Sequence, residues 1–274
     1  MVIFLCGCTE DSVIEIKEDN ETTLTSLETL SELISTFDIL DDLASSHDAF
    51  KKKENELLPS DAKLTYHDVS FIDGTGVDFE IDFGKLGNEP SGLLCKDGKY
   101  RAGKILVKLT RPYSEIGTVM TVVFPKEQPF YSGDGSNMER FVGTIKLTRE
   151  DDDEITLITE TLESGQAGSA SDVSADLLIT KEVDNGIGIL NDEVLFGGEL
   201  KIENAASSVE MKSIQPLKKV YSLICAKNIV GGELSVKLSE SISDIYIDFD
   251  PDNDEACDNK VAIVINGKSV IYNY

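Results

Sequence analysis

The chain has 274 residues, of which 41% are hydrophobic, and its formal net charge at pH 7 is −26. This length and apolar content suffice for one large packed domain or two small ones. The charge repels nucleic acid and anionic lipid, so the composition excludes both as partners of the folded surface. No apolar run of about eighteen residues is present, so the sequence predicts no transmembrane helix.

The first residues combine an apolar start with the residue order of a lipobox. Leu5-Cys6-Gly7-Cys8 has an aliphatic residue, two small residues, and a cysteine whose thiol accepts a diacylglyceryl group. A complete secretory signal carries a basic residue and about 7–15 apolar residues. We therefore predict that residues 1–7 are a truncated signal peptide and that Cys8 is the lipidated first residue of the mature protein. The alternative interpretation is an N-terminal β-strand with two buried cysteines.

Two segments precede the β-rich part of the chain. Residues 8–23 are polar and acidic, with too little apolar surface to fold alone, which predicts a tether. Residues 24–58 repeat apolar side chains at steps of three and four, which predicts an amphipathic helical segment. Its apolar stripe either packs on its own domain, which we favour, or binds a partner.

After Pro59 the apolar period changes to two, which predicts a mainly β fold. We expect antiparallel, sandwich-like sheets in two related halves, residues 64–163 and 172–274, preceded by the N-terminal amphipathic helix. The dipeptide Asn266-Gly267 predicts a tight hairpin turn near the end of the chain, since both residues tolerate positive φ.

A short phrase occurs once in each half. Ile-Asp-Phe at 81–83 is followed by a loop that ends at Cys95 and then by a strand. Ile-Asp-Phe at 247–249 is followed in the same order by Cys257 and a strand. Two strands joined by a cysteine-ending loop therefore occur twice, which indicates an internal repeat.

The same residues carry a family resemblance. The stretches that carry it are residues 81–84, 95–105, 117–119, 216–217, 225, 231–234, 257–260 and 266–268. They resemble the core of a family of Bacteroidetes-type surface lipoproteins over residues 64–148 and 214–274, whereas residues 150–210 depart from it. The resemblance implies an exported, β-rich, lipid-anchored protein and no particular activity. The acidic segment after Cys8 is similar to the one that directs such lipoproteins to the outer face of the outer membrane.

Five cysteines are present. With Cys6 removed and Cys8 acylated, three remain, which allows either one disulfide and a free thiol or no disulfide. We predict the pair Cys225–Cys257, because Cys95 lies in the other half. Only two histidines occur and no CxxC motif is present, so the sequence does not indicate a zinc site.

Alternating aspartates in residues 248–254 suggest a calcium loop. An EF-hand that began at Asp248 would need Gly at position six and Glu at position twelve, where the chain has Asn253 and Asn259. Two interpretations stay open for this segment: a solvated acidic turn, or an irregular calcium site formed by Asp250, Asp252 and Asp254.

The sequence supports a binding or structural role better than catalysis. It contains no nucleophile elbow, zinc-protease helix or P-loop, and we predict no enzyme and no cofactor other than this calcium. We expect a lipid-anchored outer-membrane protein, exposed at the cell surface, with a carbohydrate or a protein as ligand. The alternative is an envelope hydrolase with a carboxylate pair, which would need a deep cleft and two carboxylates of unequal pKa.

Overall fold

The computed structural model describes residues 10–48, 57–165, 169–183, 192–222, 225, 228–258 and 260–273, and in its helix the side chains of residues 17–45. The fold is mainly β, with one N-terminal helix and one large antiparallel sheet, which confirms the predicted class. Cys8 and the predicted signal peptide, residues 1–7, lie outside the described residues. In the part of the chain that is described, no helix has both the length and the apolar character needed to cross a bilayer.

The helix, α1, spans Glu10–Asp48. The described residues form sixteen strands. In chain order they are β1 Lys63–Asp68, β2 Val77–Asp82, β3 Leu93–Leu94, β4 Tyr100–Ala102, β5 Lys104–Leu109, β6 Val119–Phe124, β7 Phe130–Gly133, β8 Met138–Arg149, β9 Glu154–Ser164, β10 Ser171–Val183, β11 Glu193–Glu203, β12 Ser208–Val220, β13 Ile229–Leu238, β14 Ile245–Asp248, β15 Lys260–Ile265 and β16 Lys268–Asn273.

All strands belong to one hydrogen-bonded sheet. Its main path runs β1-β2-β5-β6-β8 and then in chain order from β9 to β16, while β3, β4 and β7 form a branch on β8. The predicted halves are therefore continuous, because β9 pairs with β10 across the expected boundary. From β9 onward neighbouring strands are antiparallel, so their connections alternate between two ends of the sheet. We call the end with loops 204–207, 239–244 and 266–267 the helix-entry end, and the end with loops 150–153 and 249–258 the far end.

The sheet curves around α1 and encloses its middle. Every residue from 29 to 44 is buried. Polar side chains of this segment hydrogen-bond side chains of three different strands, Glu32 with Ser132 of β7, Asp38 with Lys219 of β12 and Asp41 with Lys181 of β10. Apolar side chains of the segment also contact the sheet: the ring of Phe37 packs edge-on against that of Phe196 of β11, with ring centroids 5.6 Å apart. The enclosed segment is therefore not amphipathic, and that prediction was wrong. A helix buried all round needs partners for its polar side chains as well as for its apolar ones.

The bounds of α1 also differ from the predicted ones. The helix begins at Glu10 and not at residue 24, so most of the predicted tether, residues 8–23, is helical. Its described part ends at Asp48, residues 49–56 of the predicted segment lie outside the described residues, and Leu57 and Leu58 are buried and not helical. The acidic residues at the start of α1 remain helical because α1 continues without interruption into the enclosed segment.

The repeated Ile-Asp-Phe phrase builds the same unit twice. Asp82 accepts a hydrogen bond from the backbone N–H of Gly84 at 2.8 Å, and Asp248 accepts one from that of Asp250 at 2.9 Å. In both cases the strand that carries the phrase pairs antiparallel with a strand that follows the cysteine, β2 with β5 and β14 with β15, although in the first copy the short β4 lies between Cys95 and β5. The predicted hairpin between β15 and β16 is also present, with φ of 50° at Asn266 and 77° at Gly267.

Candidate functional site

A cavity of about 560 Å³ lies between α1, the β7–β8 hairpin and the end of β16, and we call it the helix cavity. Its lining contains four carboxyl groups and one lysine. The carboxyl groups belong to Glu28, Glu32, Asp134 and Glu139, and the lysine is Lys99. The other lining residues are Leu24, Leu27, Ser31, Ser132, Gly133, Ser136, Asn137, Met138 and Asn273.

Regular secondary structure places these carboxyl groups together. Glu28 and Glu32 are four residues apart on α1 and therefore share one face of the helix. Glu139 of β8 lies directly opposite Ser132 of β7 in the antiparallel ladder, so both side chains leave the sheet on the same side. The Ser132 hydroxyl donates a hydrogen bond to Glu32 at 2.6 Å, which ties the helix to this hairpin.

Glu32 is held in place by its neighbours. It is 6% exposed, and the Lys99 ammonium lies 2.5 Å from its Oε1. The hydroxyls of Ser132 and Ser35 both donate to its Oε2, at 2.6 and 3.3 Å. Its negative charge is therefore compensated within the wall, and the charges open to a ligand belong to Glu28 and Asp134, which are both exposed.

The carboxyl groups of the cavity have unequal pKa values. Burial raises the pKa of Glu139 to about 7, and the nearby charges of Glu28 and Glu32 act in the same direction. Two hydroxyls, from Ser164 and from Thr29 at 3.3 Å, donate to Glu139 Oε1. Burial, followed by the charge of Asp134, also raises the pKa of Glu28.

The pKa of Asp134 is shifted in the opposite direction, below its ordinary value. Burial would raise its pKa, but hydrogen bonds from the backbone N–H groups of Asn137 and Ser136, at 2.6 and 2.7 Å, lower it overall. Near neutral pH the cavity therefore holds an ionised Asp134 and a Glu139 that is about half protonated. This is the combination of carboxyl groups that the hydrolase alternative requires.

Replacing Glu139 by Gln is expected to remove a pH dependence of stability. The folded-state pKa lies above the ordinary value of 4.5, so the folded protein keeps a proton that the unfolded chain releases. The contribution of protonated Glu139 to the free energy of unfolding is fully present below pH 4.5 and is lost as the pH rises through about 7. We expect Glu139→Gln to be more stable than wild type at pH 8 by about 2 kcal/mol, a value reduced for partial solvent contact.

Urea denaturation of both proteins from pH 5 to pH 8 measures this difference. Glu160→Gln is the matched control, because Glu160 is half exposed and pairs with Lys146 on the outer face of the sheet. Parallel profiles for wild type and Glu139→Gln would contradict the raised pKa.

Beyond the cavity, α1 carries carboxylates that are paired in the core. Asp41 accepts from Lys181 at 2.8 Å and from the Tyr113 hydroxyl at 2.7 Å. Asp38 accepts from Lys219 and from the Tyr221 hydroxyl. All these groups are buried and satisfy one another, so we assign them to the architecture and not to a binding site.

The three aspartates of the predicted calcium site lie in one loop at the far end. Asp250 accepts from the N–H groups of Asp254 and Glu255, at 2.9 and 3.2 Å, and Asp252 pairs with Lys260 at 2.6 Å. Within the described ranges, no three side chains of Asp, Glu, His or Cys converge to hold a metal ion. Calcium binding here stays a prediction, with Lys260 as a competitor for Asp252.

Cys225 and Cys257 form a disulfide, with their Cα atoms 5.2 Å apart, as the sequence predicts. Cys95 is a free and buried thiol. Cys8, the predicted lipidation site, lies outside the described residues.

The sequence analysis missed the carboxyl groups of the helix cavity. Glu139 offered one signal, because it alternates in phase with the buried Phe141 and so occupies an inward position of β8. The cavity can offer ionised carboxylates to a cationic group and hydroxyl and amide groups to a polar one, while its described lining contains no aromatic ring. Comparison of the chain with protein-family models, curated proteins and solved structures finds no match.

Proposed function

We propose that this protein is a lipid-anchored envelope protein that binds a small, positively charged ligand in the helix cavity. The observation that carries the proposal is the cavity itself, whose lining combines four carboxyl groups with a single lysine. Its volume of about 560 Å³ lies within the range typical of small-molecule sites. A binding role of this kind agrees with the predicted export of the chain and with the resemblance to surface lipoproteins.

The charge of the lining favours a cation. Lys99 is already paired with Glu32, so the carboxylates of Glu28 and Asp134 are left without a lysine or arginine partner among the described ion pairs. An ammonium group between them would gain charge-assisted hydrogen bonds. An anionic ligand would be repelled by the same groups.

The rest of the lining favours a ligand that also carries hydroxyl groups. Ser31, Ser136, Asn137 and Asn273 supply hydrogen-bonding groups, while Leu24, Leu27 and Met138 supply a small apolar wall. A sugar held by ring stacking would need an aromatic side chain, which this lining lacks in the described residues. An amino sugar combines the ammonium group and the hydroxyls, and it stays within the carbohydrate class predicted from the sequence.

Binding of glucosamine, with glucose as the neutral control, tests this proposal by isothermal titration calorimetry. We expect glucosamine to bind and glucose to bind more weakly, because only the amine meets the carboxylates. Glu28→Gln is expected to weaken glucosamine binding by about fivefold, the effect of one partly exposed charge. This substitution leaves the buried pair of Glu32 and Lys99 intact.

Glu21→Gln is the matched control, since Glu21 is exposed on the same helix, pairs with Lys17 and does not line the cavity. Equal affinity for both sugars, or equal losses in the two Gln variants, would contradict a cationic site in the helix cavity.

One observation favours the hydrolase alternative as a second candidate. The cavity places Glu139, which holds a proton up to a pH of about 7, in the same lining as the ionised Asp134. Glycoside hydrolysis uses one protonated and one ionised carboxyl group in the same site. Release of nitrophenol from a panel of aryl glycosides would support it if Glu139→Gln abolishes the release and Glu160→Gln does not.

A further inference from the structure

The sheet ends in three edge strands within the described residues. They are β1 and β16 at the two ends of the main path and β3 at the end of the branch. An edge strand presents a row of backbone N–H and C=O groups that have no partner strand, and a further strand can bind there. The three edges differ in how well they are protected from such pairing.

Two of these edges carry the features that usually prevent an added strand. β1 has three titratable side chains, Lys63, His67 and Asp68, and its register with β2 shifts between Tyr66 and Asp68. Charged side chains and bulges of this kind disfavour edge-to-edge pairing. β3 is only two residues long, which is too short to hold a further strand.

The third edge, β16, lacks these protections. It pairs with β15 in unbroken register over all six residues, and its one charged side chain is Lys268, at its first position. Val270 and Ile271, which lie on opposite faces of the strand, are 47% and 52% exposed. Among the described edges, β16 is therefore the one that is open to a further strand.

The geometry of the last hairpin decides which backbone groups of β16 are available. Ile265 and Lys268 flank the two-residue turn, whose residues both have positive φ, and such a turn is closed by a hydrogen-bonded pair. Bonded and non-bonded pairs alternate along an antiparallel ladder. Ser269, Ile271 and Asn273 therefore direct their N–H and C=O groups away from β15, and they form the open edge.

The open edge of β16 reaches the helix cavity. Asn273, the last residue of β16, lines that cavity together with Glu28 and Asp134. Lys268 lies at the other end of the strand, next to the turn at the helix-entry end. A strand added to β16 would therefore pass the cavity near Asn273, where carboxylates attract a basic side chain, and would meet a repelling lysine only at its opposite end.

We propose that β16 is a docking edge for an extended, basic segment of a partner protein, which adds a strand to the sheet and places a lysine or arginine side chain in the helix cavity. This inference rests on the proposed cation site of that cavity. Backbone pairing supplies affinity for any extended segment, and the carboxylates of the cavity select one with a basic residue. The net charge of −26 favours a basic partner over a second copy of this chain, which it repels.

Fluorescence anisotropy with a rhodamine-labelled peptide and the full chain tests this proposal. The probe is Thr-Val-Thr-Lys-Val-Thr-Val, in which β-branched residues favour an extended backbone around one lysine. Its two controls are the same peptide with glutamine in place of lysine and the same peptide with methylated backbone nitrogens. We expect the probe to bind, the glutamine peptide to bind about fivefold more weakly, and the methylated peptide, which cannot donate to a strand, not to bind.

A substitution in β16 tests the same edge from the protein side. Ile271→Pro removes an N–H of the open edge and keeps the ladder with β15, because that N–H points away from β15. We expect it to weaken binding of the probe at least tenfold and to leave glucosamine binding unchanged. Ile271→Thr is the matched control, since it keeps both the N–H and a β-branched side chain, and it should bind the probe as wild type does.

Glucosamine binding without binding of the probe overturns the docking edge and leaves the cation site standing. Equal binding of the methylated peptide, or equal binding of the probe by Ile271→Pro and wild type, overturns it as well, because the contact then does not use the strand edge. Equal binding of the glutamine peptide overturns the placement of a basic side chain in the cavity. Wild-type dimers in light scattering that Ile271→Pro converts to monomers assign the edge to a second copy and overturn the basic partner. If neither glucosamine nor the probe binds, the cation site is contradicted and the docking edge falls with it.

Discussion

Replacing Asp38 by Ala is expected to destabilise the protein by about 3–5 kcal/mol, the cost of leaving a buried charge without its partner. Asp38 lies in the enclosed part of α1 and accepts hydrogen bonds from Lys219 and Tyr221. All three side chains are buried, so water cannot replace the lost carboxylate. Guanidinium denaturation followed by circular dichroism measures the change.

A second substitution separates the unpaired charge from a general packing defect. Replacing Lys219 by Met in the Asp38→Ala background removes both charges, and we expect this double variant to recover part of the stability lost in Asp38→Ala. Glu210→Ala is the surface control, because the pair of Glu210 and Lys237 is exposed at 4.0 Å and its loss should cost less than about 1 kcal/mol. If the single variant is as stable as this control, the enclosed ionic pair does not hold the helix in the sheet.

Removing the disulfide is expected to cost about 3–4 kcal/mol by the chain-entropy relation for a loop of this length. Cys225 and Cys257 are separated by 32 residues, and the closed loop includes β13 and β14. The double variant Cys225→Ser with Cys257→Ser should therefore unfold at a lower denaturant concentration than wild type. A reducing agent should lower the stability of wild type to nearly the same value.

Cys95→Ser provides the control for this prediction, because Cys95 is a free thiol and its substitution leaves the disulfide intact. Its stability should still fall on reduction, whereas that of the double variant should not change. Insensitivity of the wild-type protein to reduction would contradict the predicted disulfide and weaken the case for an oxidising compartment.

The strands could be predicted because their signals are local. The period-two pattern after Pro59 predicted the β-rich body, and Asn266-Gly267 predicted the turn between β15 and β16, where both residues have positive φ. The repeated Ile-Asp-Phe phrase also depends on a short-range bond, from the aspartate to the backbone two residues later. These features need no knowledge of distant parts of the chain.

The enclosure of the helix could not be predicted, because its polar partners are remote in sequence. Asp41 pairs with Lys181 and Asp38 with Lys219, at separations of 140 and 181 residues. On the helix alone, these aspartates resemble a solvated face. One signal was present in the strands: Lys181 continues the inward alternation of Leu177 and Ile179, and a lysine at such a position requires a buried carboxylate.

The proposed location in the cell envelope depends most directly on acylation of Cys8. Metabolic labelling with an alkynyl fatty acid, in cells that express the full chain from its native locus, measures this acylation. Cys8→Ser removes the acceptor thiol, and Cys6→Ser is the matched control that keeps a small residue before the cleavage site. We predict label in wild type and in Cys6→Ser and none in Cys8→Ser, whereas an unlabelled wild-type protein, or label that persists in Cys8→Ser, would contradict the lipoprotein assignment.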